Sequence, residues 1–248
     1  MKKICVVNQK GGTGKTTVAV NLSHALAMKN KKVLLIDADG QGHATVHLGH
    51  TPEKTLYNIL IDKVDPKEVI VNVRENLDLI PADRALRAVP MKISGEPGRD
   101  FLLKNALSKV KGYDYVIVDC GPSLDALNFN VFVFADEALI PINMEFLTAH
   151  GTAEMVSTTF DAIKKNMGHE LKINGVVGVF YDKRTRKSKE MMDLIRKYFS
   201  DKVYSTVIRI NTKISEAPSD KKTIFEYDKK SYGAQDFKAL AEEFIKRG

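Results

Sequence analysis

A doubly wound α/β fold, with a mostly parallel sheet and helices on both faces, is predicted by three features of the sequence. Short apolar, β-branched runs recur along the 248 residues, stretches of helical spacing separate most of them, and the runs are continuous rather than alternating with polar residues. Continuity means that a strand is buried on both faces, as in a parallel sheet covered on each side.

The strand-like runs, in order, are Ile4 to Val7, Val33 to Ile36, Leu77 to Ile80, Tyr115 to Val118, Ala138 to Ile142 and Gly175 to Tyr181. Helical spacing is read over Thr16 to Ala27, Asp100 to Val110, Thr148 to Asn166, Lys189 to Tyr198 and Ala234 to Lys246. Pro90 to Asp100, with Ser94-Gly95-Glu96-Pro97-Gly98, reads as a surface loop. There is no internal repeat and no Pro/Ser-rich linker, so residues 1–248 are expected to form one domain.

Composition excludes several classes. The apolar runs fall far short of the roughly 20 residues that cross a bilayer. The basic start, Met1-Lys2-Lys3, is followed by too short an apolar stretch for a signal peptide. Cys5 and Cys120 are the only cysteines, which offers neither a disulfide framework nor a zinc site and points to the cytosol. The net charge of +7 is concentrated: residues 183–230 hold fourteen Lys and Arg against seven Asp and Glu, and the rest of the chain balances to zero. A basic surface for an anionic partner is therefore expected within 183–230.

The strongest motif follows the first strand. Lys10-Gly11-Gly12-Thr13-Gly14-Lys15-Thr16-Thr17 sets a glycine-rich turn between a strand and a helix. Glycines let successive backbone N–H groups converge on phosphate oxygens, the helix N-terminus adds its dipole, Lys15 supplies a cation, and Thr16 offers a hydroxyl to Mg²⁺. The common G-x-x-x-x-G-K-[ST] pattern would place glycine at position 9, where this chain has Gln9. Two more strands end in acids, at Asp37-Ala38-Asp39-Gly40-Gln41-Gly42 and Asp119-Cys120-Gly121-Pro122-Ser123. Ligands of open parallel sheets bind beyond the carboxyl ends of strands, so these acids point at the phosphate crevice. Asp119 suits a carboxylate holding Mg²⁺ through water.

The extra lysine before the glycines, Lys10, resembles the deviant Walker A motif of the superfamily that contains ParA, MinD and the nitrogenase iron protein. Asp37 to Gly42 resembles that superfamily's Asp-x-Asp-Pro-Gln-Gly, with Gly40 in place of proline, and Asp119 to Pro122 resembles its Asp-x-Pro-Pro, with Gly121 in place of the first proline. Thr206 to Pro218 and Tyr227-Asp228 resemble segments of chromosomal ParA proteins, often called Soj.

The resemblance implies an ATPase that takes ATP and Mg²⁺. Phosphates would be held by Lys10, Gly11, Gly12, Thr13, Gly14, Lys15, Thr16 and Thr17, with Lys10 reaching into the partner of an ATP-dependent homodimer. Asp39 would act on the attacking water, Thr16, Asp37 and Asp119 would serve the metal, and Arg209 and Asn211 would lie by the adenine. It implies nonspecific DNA binding on the nucleoid, for which Arg184, Arg186, Lys187, Lys189 and Lys213 are the candidates, and a ParB-like partner that stimulates slow hydrolysis, driving chromosome or plasmid partition. Arginine is frequent in that family where this chain has Ile210.

Three other readings stand beside it. A MinD-like membrane switch would use the stripe Phe237, Leu240, Ala241, Phe244 and Ile245 as an anchor, although a helix docked on the sheet accounts for the stripe equally well. An iron-protein relative would need two exposed cysteines per subunit, and Cys5 lies within a buried strand. A ParA relative that positions another cargo shares every motif.

Overall fold

The computed structural model describes residues 1–247, and of residues 146–148 only the backbone. Eight strands form one sheet: β1 Lys2–Val6, β2 Val33–Ala38, β3 Val71–Arg74, β4 Leu77–Ile80, β5 Tyr115–Cys120, β6 Glu137–Asn143, β7 Lys172–Tyr181 and β8 Val203–Arg209. Their order is β3-β4-β2-β5-β1-β6-β7-β8, and every pairing is parallel except β3 with β4. Later strands thus add on both sides of β1, which places a topological switch at its carboxyl end, where the glycine-rich loop begins.

The helices are α1 Lys15–Ala27, α2 His43–His47, α3 Leu56–Leu60, α4 Val89–Lys92, α5 Leu102–Ala106, α6 Ala126–Phe134, α7 Phe146–Met167, α8 Arg186–Phe199, α9 Thr212–Glu216, α10 Ile224–Tyr227 and α11 Tyr232–Arg247. Successive side chains of each central strand enter opposite cores. Cys5, Leu34, Ile36, Val116, Val118 and Ile140 pack under α3 to α8. Ile4, Val6, Val33, Leu35, Ile117 and Leu139 pack under α1 and α11. Both faces of the sheet are therefore dry, as the continuous apolar runs require.

The stripe of α11 is explained by this packing. Phe237, Leu240, Ala241 and Phe244 are at most 2% exposed within the second core, so they are not presented as a membrane-seeking face. Burying the two phenylalanines contributes about 1.5–3 kcal/mol each. The same helix closes the open edge of β8. Glu243 accepts from the backbone N–H of Ser205 (2.8 Å) and Thr206 (2.9 Å), and Asp236 accepts from that of Arg209 (2.9 Å), so the edge is not left as a template for strand addition. Among the described residues no helix is long and apolar enough to cross a membrane.

Several predicted elements need correction. The helix expected over Asp100 to Val110 is a 3₁₀ turn, Arg99–Phe101, followed by the short α5. The loop expected from Pro90 begins inside α4. The strands β3 and β8 and the helix α6 were not anticipated.

Candidate nucleotide site

The glycine loop is anchored at its root. Asn8, fully buried after β1, donates from Nδ2 to the carbonyl of Pro141 (2.8 Å) and to Thr152 Oγ1 (3.1 Å), and its Oδ1 accepts from the N–H of Lys10 (3.1 Å). Gly12 and Gly14 have φ of +73° and +77°, a region that side chains strongly disfavour. Gly14 is the N-cap of α1, and no side chain caps this helix end. Its first N–H groups are thus left for an anion.

Lys15 turns back into the loop and donates from Nζ to the carbonyl of Lys10 (3.2 Å), which also accepts from Thr13 Oγ1 (3.2 Å). Burial pulls the Lys15 ammonium below its ordinary value, opposed by the neighbouring acids Asp119 and Asp39. The loop therefore holds its cation among acids rather than in water.

Asp37 and Asp119 are register partners at the carboxyl ends of β2 and β5. Both are fully buried. Asp37 is internally satisfied: Oδ2 accepts from the Thr45 backbone (2.9 Å) and hydroxyl (2.7 Å), and Oδ1 accepts from the Asp39 N–H (3.2 Å). Its carboxyl is nevertheless pushed up to about 6, chiefly by burial. These bonds tie the Asp37 oxygens to the turn that carries Asp39, so any support Asp37 gives the metal site runs through that turn.

Asp119 is different. Neither of its oxygens makes a well-formed hydrogen bond among the described residues, although the Thr16 hydroxyl lies close enough to favour its charge. Burial and the adjacent Asp37 drive its carboxyl well above the usual range, with Thr16 and Lys15 opposing. A buried carboxylate left without a well-formed hydrogen bond fits a hard cation. Among the described residues no group of three or more His, Cys, Asp or Glu could hold a metal. Mg²⁺ keeps most of its water and takes one or two protein oxygens, and Asp119 and Thr16 are the residues that could supply them.

Asp39 sits half-exposed at the mouth, where its Oδ1 accepts from the Gln41 N–H (2.9 Å). The Asp119 turn comes up against it: a Cβ at Gly121 would lie in ordinary contact, 3.6 Å from the Asp39 carboxyl carbon. Gly11 to Thr17, Asp39, Gly121 and Arg87 line one cavity of about 610 Å³. A second, largely apolar hollow of about 170 Å³ shares Gly14 and Thr17 with it and is bounded by Val18, Phe180, Asn211 and Phe237. Arg209 contributes to this hollow, but its guanidinium is paired with Asp236 (2.6 Å) and stacked over Tyr232. Asn211 Oδ1 accepts from the Lys213 N–H (2.9 Å), which leaves its amide N–H groups available.

Lys10 lies outside this cluster, with its Nζ paired to Glu145 at the start of α7. The basic candidates divide into two groups. Arg184, Arg186, Lys187 and Lys189 are exposed in the β7–α8 loop and the first turn of α8. Arg184 holds Asp182 (2.8 Å), pulling that carboxyl down to about 2, and Arg186 pairs with Glu190 (2.6 Å). Lys213 stands apart, half-buried, bound to Glu216 (2.8 Å) and near the ring of Tyr227. Both cysteines are buried, Cys5 and Cys120 being 0% and 1% exposed.

Sequence reasoning missed Arg87, Asn128 and Phe180. Asn128 ties the Asp119 turn together by donating from Nδ2 to the Gly121 carbonyl (2.9 Å). Phe180 has φ of +54° and turns its ring toward Gly14. Only Phe180 had a signal, as an aromatic residue just before the basic cluster.

A family model described as an AAA domain matches residues 1–173. The sporulation initiation inhibitor protein Soj of Bacillus subtilis is 40% identical, over 100% of this chain and 99% of that protein. The chromosome partitioning protein ParA of Caulobacter vibrioides is 37% identical, over 100% and 95%. Among solved structures, cobyrinic acid a,c-diamide synthase from Mycobacterium smegmatis with a bound ATP analog and magnesium superposes with a TM-score of 0.85 at 28% identity, covering 99% of this chain and 95% of that one. Full-length likeness at this level means that the chain belongs to the ParA/Soj family of chromosome-partitioning ATPases.

Proposed function

We propose that the chain binds MgATP at the α1 N-terminus, closes face to face with a second copy, holds DNA nonspecifically in that state, and lets go when Asp39 directs water at the terminal phosphate. The observation that carries the nucleotide step is the pair Lys15 and Asp119: a buried ammonium aimed into the phosphate loop beside a buried carboxylate without a well-formed hydrogen bond. Mg²⁺, when bound, neutralises charge on the β- and γ-phosphates. Asp119 and Thr16 hold it, Lys15 and the loop N–H groups of Gly11 to Thr17 orient the phosphates, and Asp37 fixes the turn that aims Asp39. The second hollow takes the adenine, with Asn211 and the backbone at Arg209 at its rim. In the closed dimer Lys10 exchanges Glu145 for the partner's phosphates.

Asp39→Ala tests the hydrolytic step. ATP affinity should stay within about threefold of wild type while phosphate release falls by about 100-fold or more, the scale of a lost general base. Unchanged turnover would remove Asp39 from the mechanism.

The DNA surface rests on a local electrostatic cost. The first turn of α8 carries Arg186, Lys187 and Lys189 and no acid, against the positive end of its dipole. A chain accepts that cost where an anion offsets it, and exposed lysines and arginines contact DNA phosphates without reading sequence. Replacing Arg184, Arg186 and Lys187 by Glu should weaken binding to duplex DNA by at least about tenfold at low salt and reduce its salt dependence, with DNA-free hydrolysis unchanged. A retained gel shift would place the surface elsewhere. A ParB-like protein that accelerates slow hydrolysis, and replicon cargo on the nucleoid, complete the proposal. Genomic neighbours distinguish replicon from other cargo.

A further inference from the structure

Position 40 carries glycine where the resembling motif has proline, and the structure supplies a reason that the turn does not. Gly40 is outside the left-handed region, so its backbone does not demand glycine. The demand is steric. A Cβ there would lie 2.5 Å from Arg87 Cγ and 3.2 Å from the Arg87 backbone nitrogen, so any side chain at 40 pushes the arginine away. Arg87, in the 3₁₀ turn Arg84–Ala88, instead lies on the Asp39-Gly40 turn and donates from Nε to the Gly40 carbonyl (3.1 Å).

That bond uses one of the five guanidinium N–H groups. Among the described residues Arg87 has no carboxylate partner and no other hydrogen bond, yet it lines the cavity formed by Gly11 to Thr17 and Asp39. The cavity's charge is unbalanced. Asp39 and Asp125 line it beside Lys15, with Asp119 buried next to Lys15 and Asp39, and a triphosphate adds several negative charges. An unpaired arginine, fixed at its Nε with a planar fork left over, is suited to phosphate oxygens.

Resting on the nucleotide reading above, we propose that Arg87 is a further phosphate-binding residue of this site, contacting the terminal phosphate beside Asp39, and that glycine at 40 exists to admit it. No bond is made or broken by Arg87; it donates hydrogen bonds to oxygens whose charge is greatest when the γ-phosphoryl group is present or in transfer.

The test is calorimetric titration of the full-length protein with ATP and with ADP, each with Mg²⁺, on wild type, Arg87→Ala, Arg87→Lys and Gly40→Ala. Arg87→Ala should weaken ATP by about tenfold or more, the loss of a charge-assisted hydrogen bond, while ADP changes by less than about threefold. Gly40→Ala should reproduce that pattern with the arginine still present, and Arg87→Lys should recover only part of the loss. Equal loss for ATP and ADP would make Arg87 a wall of the cavity and overturn the proposal, as would wild-type ATP affinity in Arg87→Ala or in Gly40→Ala. Absence of nucleotide binding by the wild type would instead defeat the nucleotide reading itself, so the two failures are separable.

Discussion

Lys15→Ala is expected to lower ATP affinity by at least about 100-fold, the loss of charge-assisted contacts to a polyphosphate, with the chain still folded. The reason is positional. Lys15 is 7% exposed, and its Nζ is held by the Lys10 carbonyl at the centre of the glycine loop. The charge is kept there against burial by Asp119 and Asp39. A water-exposed lysine lost elsewhere on the surface, such as Lys187, would change nucleotide affinity little, since solvent screens it. Removing Lys15 also leaves Asp39 and Asp119 without their nearby cation, so phosphate enters a site of its own sign. Calorimetry with Mg²⁺ and ATP reads the effect, and circular dichroism checks that the fold persists. Affinity within a few-fold of wild type would mean that the phosphates bind elsewhere.

How far the sequence disclosed this site depended on whether the signal was local. The phosphate loop was legible because strand, glycines, lysine and helix are contiguous, and their chemistry needs no tertiary information. The acids at 37 and 119 were legible because each ends a continuous apolar strand, and a parallel sheet aligns such ends. What their oxygens do was not legible. Asp37 is satisfied by Thr45, eight residues on, while Asp119 makes no well-formed hydrogen bond, and nothing in either motif distinguishes them. Arg87 was invisible for the same reason: its contact with Gly40 spans 47 residues.

Missed elements failed on competing patterns. The run from Ala126 to Phe134 is apolar and partly β-branched and so carries no clear helical spacing, yet Asp125 caps it as a helix by accepting from the N–H of Leu127 and Asn128. Strand β8 carries Ser205 and Thr206 in its middle, polar residues that an edge strand tolerates because α11 satisfies their backbone. The short α5 replaced a longer predicted helix because periodicity over Asp100 to Val110 carried no stop signal, whereas the chain leaves the helix after Ala106.

Asp119→Asn should stabilise the nucleotide-free protein and abolish its response to Mg²⁺. Burial and Asp37 hold the Asp119 carboxyl well above its ordinary value, which is a cost to the free fold wherever the unfolded chain is already ionised, and an amide of the same shape does not titrate. The expected gain is about 1–3 kcal/mol, or roughly 3–10 °C in melting temperature for a chain of this size. The pH dependence has a definite sign. Asp37 holds its proton up to about 6 in the fold, and Asp119 is also raised. As pH rises from about 4 the unfolded chain ionises first. The free wild type therefore loses stability with rising pH across that window, and the variant loses less. With MgATP the order reverses. Wild type gains stability in proportion to the logarithm of ligand over dissociation constant, whereas the variant keeps the phosphate contacts of Lys15 and the loop but lacks the oxygen that holds the metal. Melting curves at pH 5 and pH 8, with ATP and with or without Mg²⁺, separate these terms. A variant no more stable than wild type without ligand, and equally responsive to Mg²⁺, would show that the carboxylate at 119 is neither strained in the free protein nor used by the metal.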